Sequence, residues 1–157
     1  MLHSNGAKYI WSVQDMFGHA AHKFWMKFSG GALIGFGILG FFGTMPATNE
    51  PLRWGLDLLS WPLDGFPSYE SREIWFLSAL SGGFLTGWGV TMYCVSLWLY
   101  DLDGERCRKT VFAGLLGWFL VDSSGSITSG NWENAVWNIL VLVILVGPMW
   151  RPAQSTA

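Results

Sequence analysis

The chain has 157 residues, of which 51% are hydrophobic and only 13% are charged, and its formal net charge is −2. Soluble domains carry about 25% charged residues, so this composition favours a protein embedded in lipid. The slightly acidic balance and the lack of any Lys or Arg block exclude a nucleic-acid partner bound through its phosphates. We expect one all-α integral membrane domain over residues 1–157.

The residues before the first apolar run predict a helix on the membrane surface. Within residues 9–24, apolar side chains recur at helical spacing beside polar ones, as is typical of an amphipathic interfacial helix. Residues 1–24 are therefore expected to form a cytoplasmic interfacial segment. His19 and His22 are three apart, but a metal would need a third ligand from elsewhere, so no metal site is predicted.

Four apolar runs approach the length of about 20 residues that the hydrocarbon core of a bilayer requires. They cover residues 25–45, 74–100, 110–128 and 132–150 and predict a four-transmembrane-helix bundle. Seven Lys and Arg residues fall on the side of the termini and two on the other side. Because short basic loops stay in the cytoplasm, both termini are expected there, with the bacterial inner membrane as the location.

The segment between the first two runs, residues 46–73, is the predicted outer loop. Within it, residues 52–61 have the pattern of one short amphipathic helix. Tryptophans stand where the runs meet the predicted interfaces, and indoles favour that position. The predicted interface anchors are Trp25, Trp54, Trp61, Trp75, Trp98, Trp132 and Trp150.

A nonapeptide occurs in both of the first two runs, since residues 29–37 and 81–89 are identical at six of nine positions. A weaker version stands at residues 113–118. Small residues four apart allow helix backbones to approach closely. Helix packing is therefore predicted, with unwound segments at a substrate site as the alternative, which the lack of accompanying proline disfavours. The predicted packing glycines are Gly31, Gly35, Gly83, Gly87, Gly114 and Gly117.

The third and fourth runs are joined by a polar segment that leaves few residues for a loop. With a turn at Gly130, Asp122 and Asn138 are each eight residues away from it and Ser126 and Asn134 are each four away. Equal separations mean equal depths, about 12 Å and 6 Å below the turn. The candidate intramembrane polar site consists of Asp122, Ser123, Ser126, Asn134 and Asn138.

An ionisable residue at the depth of Asp122 is a functional candidate, because an isolated charge there costs several kcal/mol and needs a partner or water. Asp122 could relay protons or bind a polar ligand. The alternative, which we favour, is that the whole set holds the two helices together by hydrogen bonds.

Cofactor and catalytic signatures are few. No histidine lies within the four predicted runs, so a haem ligated by histidine inside the bundle is not expected, and any other cofactor is unknown. Cys94 and Cys107 predict neither a metal site nor a disulfide. No nucleophile triad or phosphate loop is present, so an enzyme is not predicted.

The glycine run of the second span and the aromatic and polar run of the third together resemble small bacterial four-helix membrane proteins that are DoxX-like. The residues that carry the resemblance are Gly82, Gly83, Gly87, Trp118, Phe119, Asp122, Ser123, Gly125 and Ser126. It implies a four-helix fold over most of residues 25–150. It also implies a role as a small partner subunit, because some members are associated with quinone or thiosulfate redox systems.

Three functions remain open from the sequence. The first is an accessory or scaffolding subunit that packs onto a larger respiratory, photosynthetic or transport complex in the membrane. The second is a small proton-linked carrier or channel that uses Asp122 and Asn138. The third is a quinone-linked redox partner subunit. The expected partners are the lipid bilayer and other membrane subunits or further copies of the chain.

Overall fold

A computed structural model describes residues 13–60 and 69–153, with side chains from Gly18 onward. Five α-helices follow one another, and no strand occurs in this part of the chain. The prediction of an all-α protein is confirmed. The helices are α1 (Val13–Gly43), α2 (Glu50–Leu59), α3 (Arg72–Trp98), α4 (Gly104–Thr128) and α5 (Trp132–Val146), and a short 3-10 turn (Gly147–Trp150) follows α5.

The starts of α3 and α4 are set by side-chain caps. The hydroxyl of Ser71 accepts the backbone N–H of Ile74 at 3.2 Å. The carboxylate of Asp103 accepts the backbone N–H of Arg106 at 3.0 Å. Each bond satisfies one of the N–H groups that the first turn of a helix leaves without a partner.

Within the described residues, three helical segments are long and apolar enough to cross a membrane: Gly18–Gly43, Gly104–Thr128 and Trp132–Trp150. This finding is compatible with a membrane protein. The helix α3, with 27 residues, is long enough to cross a membrane, but it is not one of these three apolar segments. Its glycines, serines and tryptophans lower its mean hydropathy.

The expected surface helix before the first span is not a separate element. From Val13, the start of the described chain, α1 continues without interruption to Gly43. His22, which the prediction places on the membrane surface, is 4% exposed and contacts Tyr100 at the end of α3. The first turns of α1 belong to the bundle because other helices cover one of their faces. The rest of the predicted interfacial segment lies outside the described residues.

The helices α1 and α3 run antiparallel and pack against each other along their lengths. A Cβ added at Gly30 would lie 2.8 Å from the carbonyl oxygen of Gly89, and one at Gly89 would lie 2.6 Å from that of Gly30. Gly37 and Gly82 meet in the same reciprocal way, at 2.6 Å in each direction. No side-chain carbon fits at such distances from a backbone oxygen. These four positions therefore require glycine.

The glycines predicted for helix packing are not the ones that make the contact between α1 and α3. Around Gly31, Gly35, Gly83, Gly87 and Gly117 an added Cβ would meet no atom within 4 Å, and around Gly114 it would meet only the ring of Trp88, at 3.5 Å. The glycines in contact are seven residues apart, almost two full turns of an α-helix, so both face the neighbouring helix. The glycines four apart start one residue later and are turned away by about 100°.

The helices α4 and α5 form a second antiparallel pair, and this pair meets α1 mainly at one end of the molecule. The main chains of α3 and α5 do not approach each other closely in the described part of the chain. Where the two pairs meet, residues from all four long helices form the buried apolar core. The core consists of Met26, Leu33, Met92, Tyr100, Cys107, Val111, Leu115, Leu145, Val146 and Met149.

The two ends of the molecule differ in charge. The end where the pairs meet, called here the basic end, carries Lys23, Lys27, Arg106, Arg108, Lys109 and Arg151. The opposite end, called the acidic end, contains α2 and the turn between α4 and α5. Its described charged residues are Glu50, Arg53, Asp57, Glu70, Arg72, Glu73 and Glu133.

The tryptophans predicted as interface anchors fall into two groups. Trp25 and Trp75 are half-buried, and their indoles donate to the carbonyl oxygens of Ile144 at 2.7 Å and Tyr69 at 2.9 Å. The largely exposed ones stand near the helix ends; they are Trp54, Trp98, Trp132 and Trp150. Trp61 lies outside the described residues.

We predict opposite effects of the same substitution at two adjacent glycines. Gly82→Ala should destabilise the protein by about 1–3 kcal/mol, because the new methyl group overlaps the backbone of α1. Gly83→Ala should leave stability unchanged or raise it by up to about 1 kcal/mol, because the site is open and alanine favours helix. Thermal unfolding in detergent measures both. Equal losses at the two positions would contradict the glycine contact.

Candidate functional site

The polar hairpin between α4 and α5 turns at Gly130, whose φ is +85°. Such a positive φ is favourable for glycine and strained for most other residues. The N–H of Asn131 donates to the carbonyl oxygen of Ser126 at 2.8 Å, and the N–H of Gly130 donates to that of Ile127 at 3.2 Å. These bonds satisfy carbonyl groups of the last turn of α4, and α5 begins two residues later.

Below the turn, side chains of the two helices form a hydrogen-bonded set. The amide of Asn134 donates to the hydroxyl of Ser126 at 2.8 Å and to the carboxylate of Asp122 at 3.3 Å. The hydroxyl of Ser126 donates to the same carboxylate oxygen at 3.3 Å. One step deeper, the amide of Asn138 donates to the hydroxyl of Ser123 at 3.3 Å.

The structure thus brings the five predicted residues together in two groups. It places Asn134 level with Ser126, but it places Asn138 against Ser123 rather than against Asp122. The reason is the orientation of α4: Ser123 and Ser126 are three apart and buried on the side facing α5. Asp122 lies about 100° around the helix from Ser123 and is only half-buried.

This geometry suits a helix-to-helix connection. Every buried side-chain nitrogen or oxygen in the described residues has a hydrogen-bond partner. The contacts of Asp122, Asn134 and Asn138 lie within the hairpin itself. A set closed in this way stabilises the pairing of two helices in an apolar medium. A proton relay would use the carboxylate of Asp122, the only ionisable member of the set.

A second polar cluster lies at the basic end, where sequence patterns did not predict one. The guanidinium of Arg108 donates from Nε and Nη2 to the two carboxylate oxygens of Glu105, at 2.7 Å and 2.6 Å. Its Nη1 donates to the carbonyl oxygen of Met149 at 2.9 Å. Arg108 is 9% exposed. A two-pronged contact of this kind fixes the guanidinium plane and is stronger than a single hydrogen bond.

The same cluster holds the main chain around the end of α5. From α1, Ser29 donates to the carbonyl oxygen of Leu145 at 2.7 Å, and Nε2 of His22 donates to that of Pro148 at 3.0 Å. The N–H of Ala153 donates to Glu105 at 2.7 Å. Carbonyl groups in the last turn of a helix have no partner within it. Side chains of α1 and α4 therefore complete the C-terminal end of α5.

His22 links three parts of the fold. A carbonyl oxygen can only accept, so Nε2 carries the proton in the bond to Pro148. The other nitrogen, Nδ1, lies 3.1 Å from the hydroxyl of Tyr100 and accepts a hydrogen bond from it when the imidazole is neutral. The helical segment that is long and apolar enough to cross a membrane, Gly18–Gly43, begins before His19 and His22, whereas the predicted first span begins after them at residue 25.

At the surface of the basic end, Asp101 is bound by two side chains of α1. Lys23 forms an ion pair with it, and Nε2 of His19 lies 3.0 Å from its other oxygen. The hydrogen bond from Lys23 and then that from His19 lower the pKa of Asp101. Because the folded-state pKa is lowered, this contribution to stability is present at neutral pH and is lost as pH falls through that lowered pKa.

The described residues contain no group of three or more His, Cys, Asp or Glu side chains that could hold a metal ion. The cysteines Cys94 and Cys107 are both free. Comparison of the chain with protein-family models, with curated proteins and with solved structures found no match. The DoxX-like resemblance therefore stays a prediction.

We predict that two arginines on the same helix differ sharply in importance. Both arginines pair with a carboxylate three residues earlier. The side chain of Arg106 is 89% exposed, whereas that of Arg108 is only 11% exposed. Arg108→Gln should cost about 2–3 kcal/mol because it breaks a partly buried pair and a bond to Met149. Arg106→Gln should cost less than about 1 kcal/mol.

Thermal unfolding of the two arginine variants in one detergent gives the comparison. A loss for Arg106→Gln as large as that for Arg108→Gln would contradict the structural role assigned to the buried pair.

We also predict that the hairpin contact stabilises the fold. Asn138→Leu should lower stability by about 1 kcal/mol, because it leaves the buried hydroxyl of Ser123 without its donor. Asn131→Leu is the matched control, since the Asn131 side chain bonds only to neighbouring Ser129 and its loss should change little. Unfolding midpoints measure the difference, and an unchanged midpoint for Asn138→Leu would argue against a structural hairpin.

Proposed function

We propose that the chain is a four-span protein of the bacterial inner membrane that serves as an accessory or scaffolding subunit. In this proposal it packs onto a larger membrane complex through one face of the α1 and α3 pair. We call this surface the glycine face, and its central residues are Gly31, Gly35, Gly83 and Gly87. A partner-subunit role agrees with what the DoxX-like resemblance implies.

The four glycines lie on one side of the helix pair. Gly31 and Gly35 are turned by about 100° and 140° from the contact residue Gly30, and Gly83 and Gly87 have the same offsets from Gly82. The two helices are antiparallel and meet through equivalent positions of a repeated sequence. Equal offsets therefore place all four glycines on the same side.

The opposite side of the pair is already occupied. Leu33 and Met92 each follow a contact glycine by three residues, which turns them to the other side, and both are buried in the apolar core. The glycine face consequently points away from α4 and α5. It is rimmed by exposed apolar side chains, which are Phe24, Ile38, Phe42, Phe76 and Val90.

The observation that carries the proposal is the open space over these glycines. An added Cβ at any of the four would meet no atom within 4 Å. A glycine inside a helix costs about 1 kcal/mol relative to alanine in water, and these four make no internal contact in return. Small residues of this kind let a helix of another subunit approach the backbone closely.

Four spans are supported by the pairing of the helices. The helix α3 lies antiparallel along α1, and its 27 residues extend about 40 Å, so it would cross any bilayer that α1 crosses. Basic residues at one end and acidic residues at the other favour an orientation with the basic end in the cytoplasm. Both termini would then be cytoplasmic.

The rival function is the proton-linked carrier, which requires the carboxylate of Asp122 to exchange protons along a polar route. The hydrogen bonds of Asp122 to Ser126 and Asn134 support a structural role instead. The rival is therefore an outcome of the experiment below rather than a second proposal. No contact in the described residues favours the quinone-linked alternative.

We predict that Gly83→Leu removes the partner and leaves the fold intact. The leucine would fill the open space that a partner helix needs, and its Cβ would have no atom of α1 within 4 Å. Gly117→Leu is the matched control, because Gly117 is an exposed glycine with no atom within 4 Å but lies on α4. Tagged chains purified in mild detergent from the native membrane, followed by mass spectrometry and a thermal melt, provide the measurement.

The same partner subunits should co-purify in a fixed ratio with the wild type and with Gly117→Leu. Gly83→Leu should purify without them and should keep an unchanged melting temperature. A wild type that purifies as a pure homo-oligomer would contradict the accessory-subunit role. If Asp122→Asn abolished proton-driven flux in vesicles while assembly stayed intact, the carrier would be the better account.

A further inference from the structure

Among the side chains that the structure describes, the basic end has more cations than carboxylates. Six described basic side chains at this end face three described carboxylates. The three carboxylates are Asp101, Asp103 and Glu105, and each is already paired. Lys23 binds Asp101, Arg106 binds Asp103 at 3.0 Å, and Arg108 binds Glu105.

The remaining positive charge is on the rim of this end. Lys27 and Arg151 have no carboxylate within ion-pair distance among the described residues. Lys109 reaches Glu105 only at 3.4 Å, and 69% of its side chain is exposed. Since Glu105 already accepts two bonds from Arg108, Lys109 is incompletely neutralised. The rim therefore has a surplus of cationic groups, which are exposed at Lys109 and Arg151 and half-buried at Lys27.

An aromatic contact marks the depth of this rim in a bilayer. The guanidinium of Arg151 stacks over the ring of Trp150, 4.7 Å from its centre. Trp150 is 63% exposed, and Trp98, at the same end of α3, is 69% exposed. Exposed indoles at the end of a membrane helix favour the level of the lipid headgroups. Arg151 is consequently held at the level where lipid phosphates lie.

From these observations we propose that the basic end binds the headgroups of anionic phospholipids. The groups that make the contact are the guanidinium of Arg151 and the ammonium groups of Lys27 and Lys109, which donate hydrogen bonds to phosphodiester oxygens. A zwitterionic lipid brings its own cation and leaves the surplus charge uncompensated, so a net negative headgroup is preferred. This inference rests on the membrane location proposed above, but it is independent of any partner subunit.

A lipid fits the arrangement better than a free anion does. The cations belong to three different elements and surround apolar helices instead of converging on one point. On α1, the exposed apolar side chains of Phe24 and Phe28 stand before and after Lys27 and offer contact for acyl chains. A phospholipid supplies both the phosphate and the chains, whereas inorganic phosphate supplies only the first.

The test compares lipid retention by two double variants. Lys27→Gln with Arg151→Gln removes two cations from the basic rim, and Arg53→Gln with Arg72→Gln removes two cations from the acidic end. Each protein is reconstituted in nanodiscs of equal parts phosphatidylglycerol and phosphatidylcholine. It is then extracted in mild detergent, and the lipids that stay bound are counted by native mass spectrometry.

The wild type and the acidic-end variant should retain several-fold more phosphatidylglycerol than phosphatidylcholine. The basic-rim variant should retain the two lipids in nearly equal amounts, because each cation removed weakens the binding of an anionic lipid by up to about five-fold, and its melting temperature in detergent should be unchanged. The preference should also weaken as salt increases.

Three results would overturn the inference. They are equal retention of the two lipids by the wild type, an unchanged preference in the basic-rim variant, and displacement of the lipid by millimolar inorganic phosphate, which would make the ligand a free anion. Failure of the wild type to enter nanodiscs at all would contradict the proposed membrane location as well, which separates that outcome from the other three.

Discussion

The direct backbone contact between α1 and α3 determines the spacing on which the rest of the structure depends. At Gly30 with Gly89 and at Gly37 with Gly82, each helix presents a carbonyl oxygen to the place where a side chain would stand on the other. Only with the helices this close do side chains at the start of α1 reach both the end of α3 and the end of α5. The fold therefore requires glycine at these four positions.

The two ends of the molecule are held together by different interactions. At the basic end, an apolar core and a buried polar cluster around Arg108 join all four long helices. Toward the acidic end, the α1 and α3 pair relies on backbone contact, whereas α4 and α5 rely on the bonds of Asn134 and Asn138. The two pairs are therefore joined mainly at the basic end, and α2 makes a smaller contact with α5 at the acidic end. The glycine face belongs entirely to the α1 and α3 pair, on the side away from α4 and α5.

The helices and the turn of the hairpin could be predicted from sequence because both depend on local signals, namely apolar runs and a glycine between polar stretches. The choice of packing glycines could not. Gly30 and Gly31 are neighbours, as are Gly82 and Gly83, and spacing alone does not say which of each pair faces the other helix. The cluster at the basic end could not be predicted either, because Arg108 and His22 bind carbonyl oxygens 41 and 126 residues away, and a carbonyl group has no sequence signal.

The register of α1 against α3 is tested most directly by solid-state NMR of the protein, labelled at its glycines with carbon-13 and reconstituted in lipid bilayers. The structure predicts through-space correlations between Gly30 and Gly89 and between Gly37 and Gly82, and none between Gly31 or Gly35 and the glycines of α3. Correlations that instead join Gly31 or Gly35 to Gly83 or Gly87 would contradict the contact, and the glycine face would then be the internal interface.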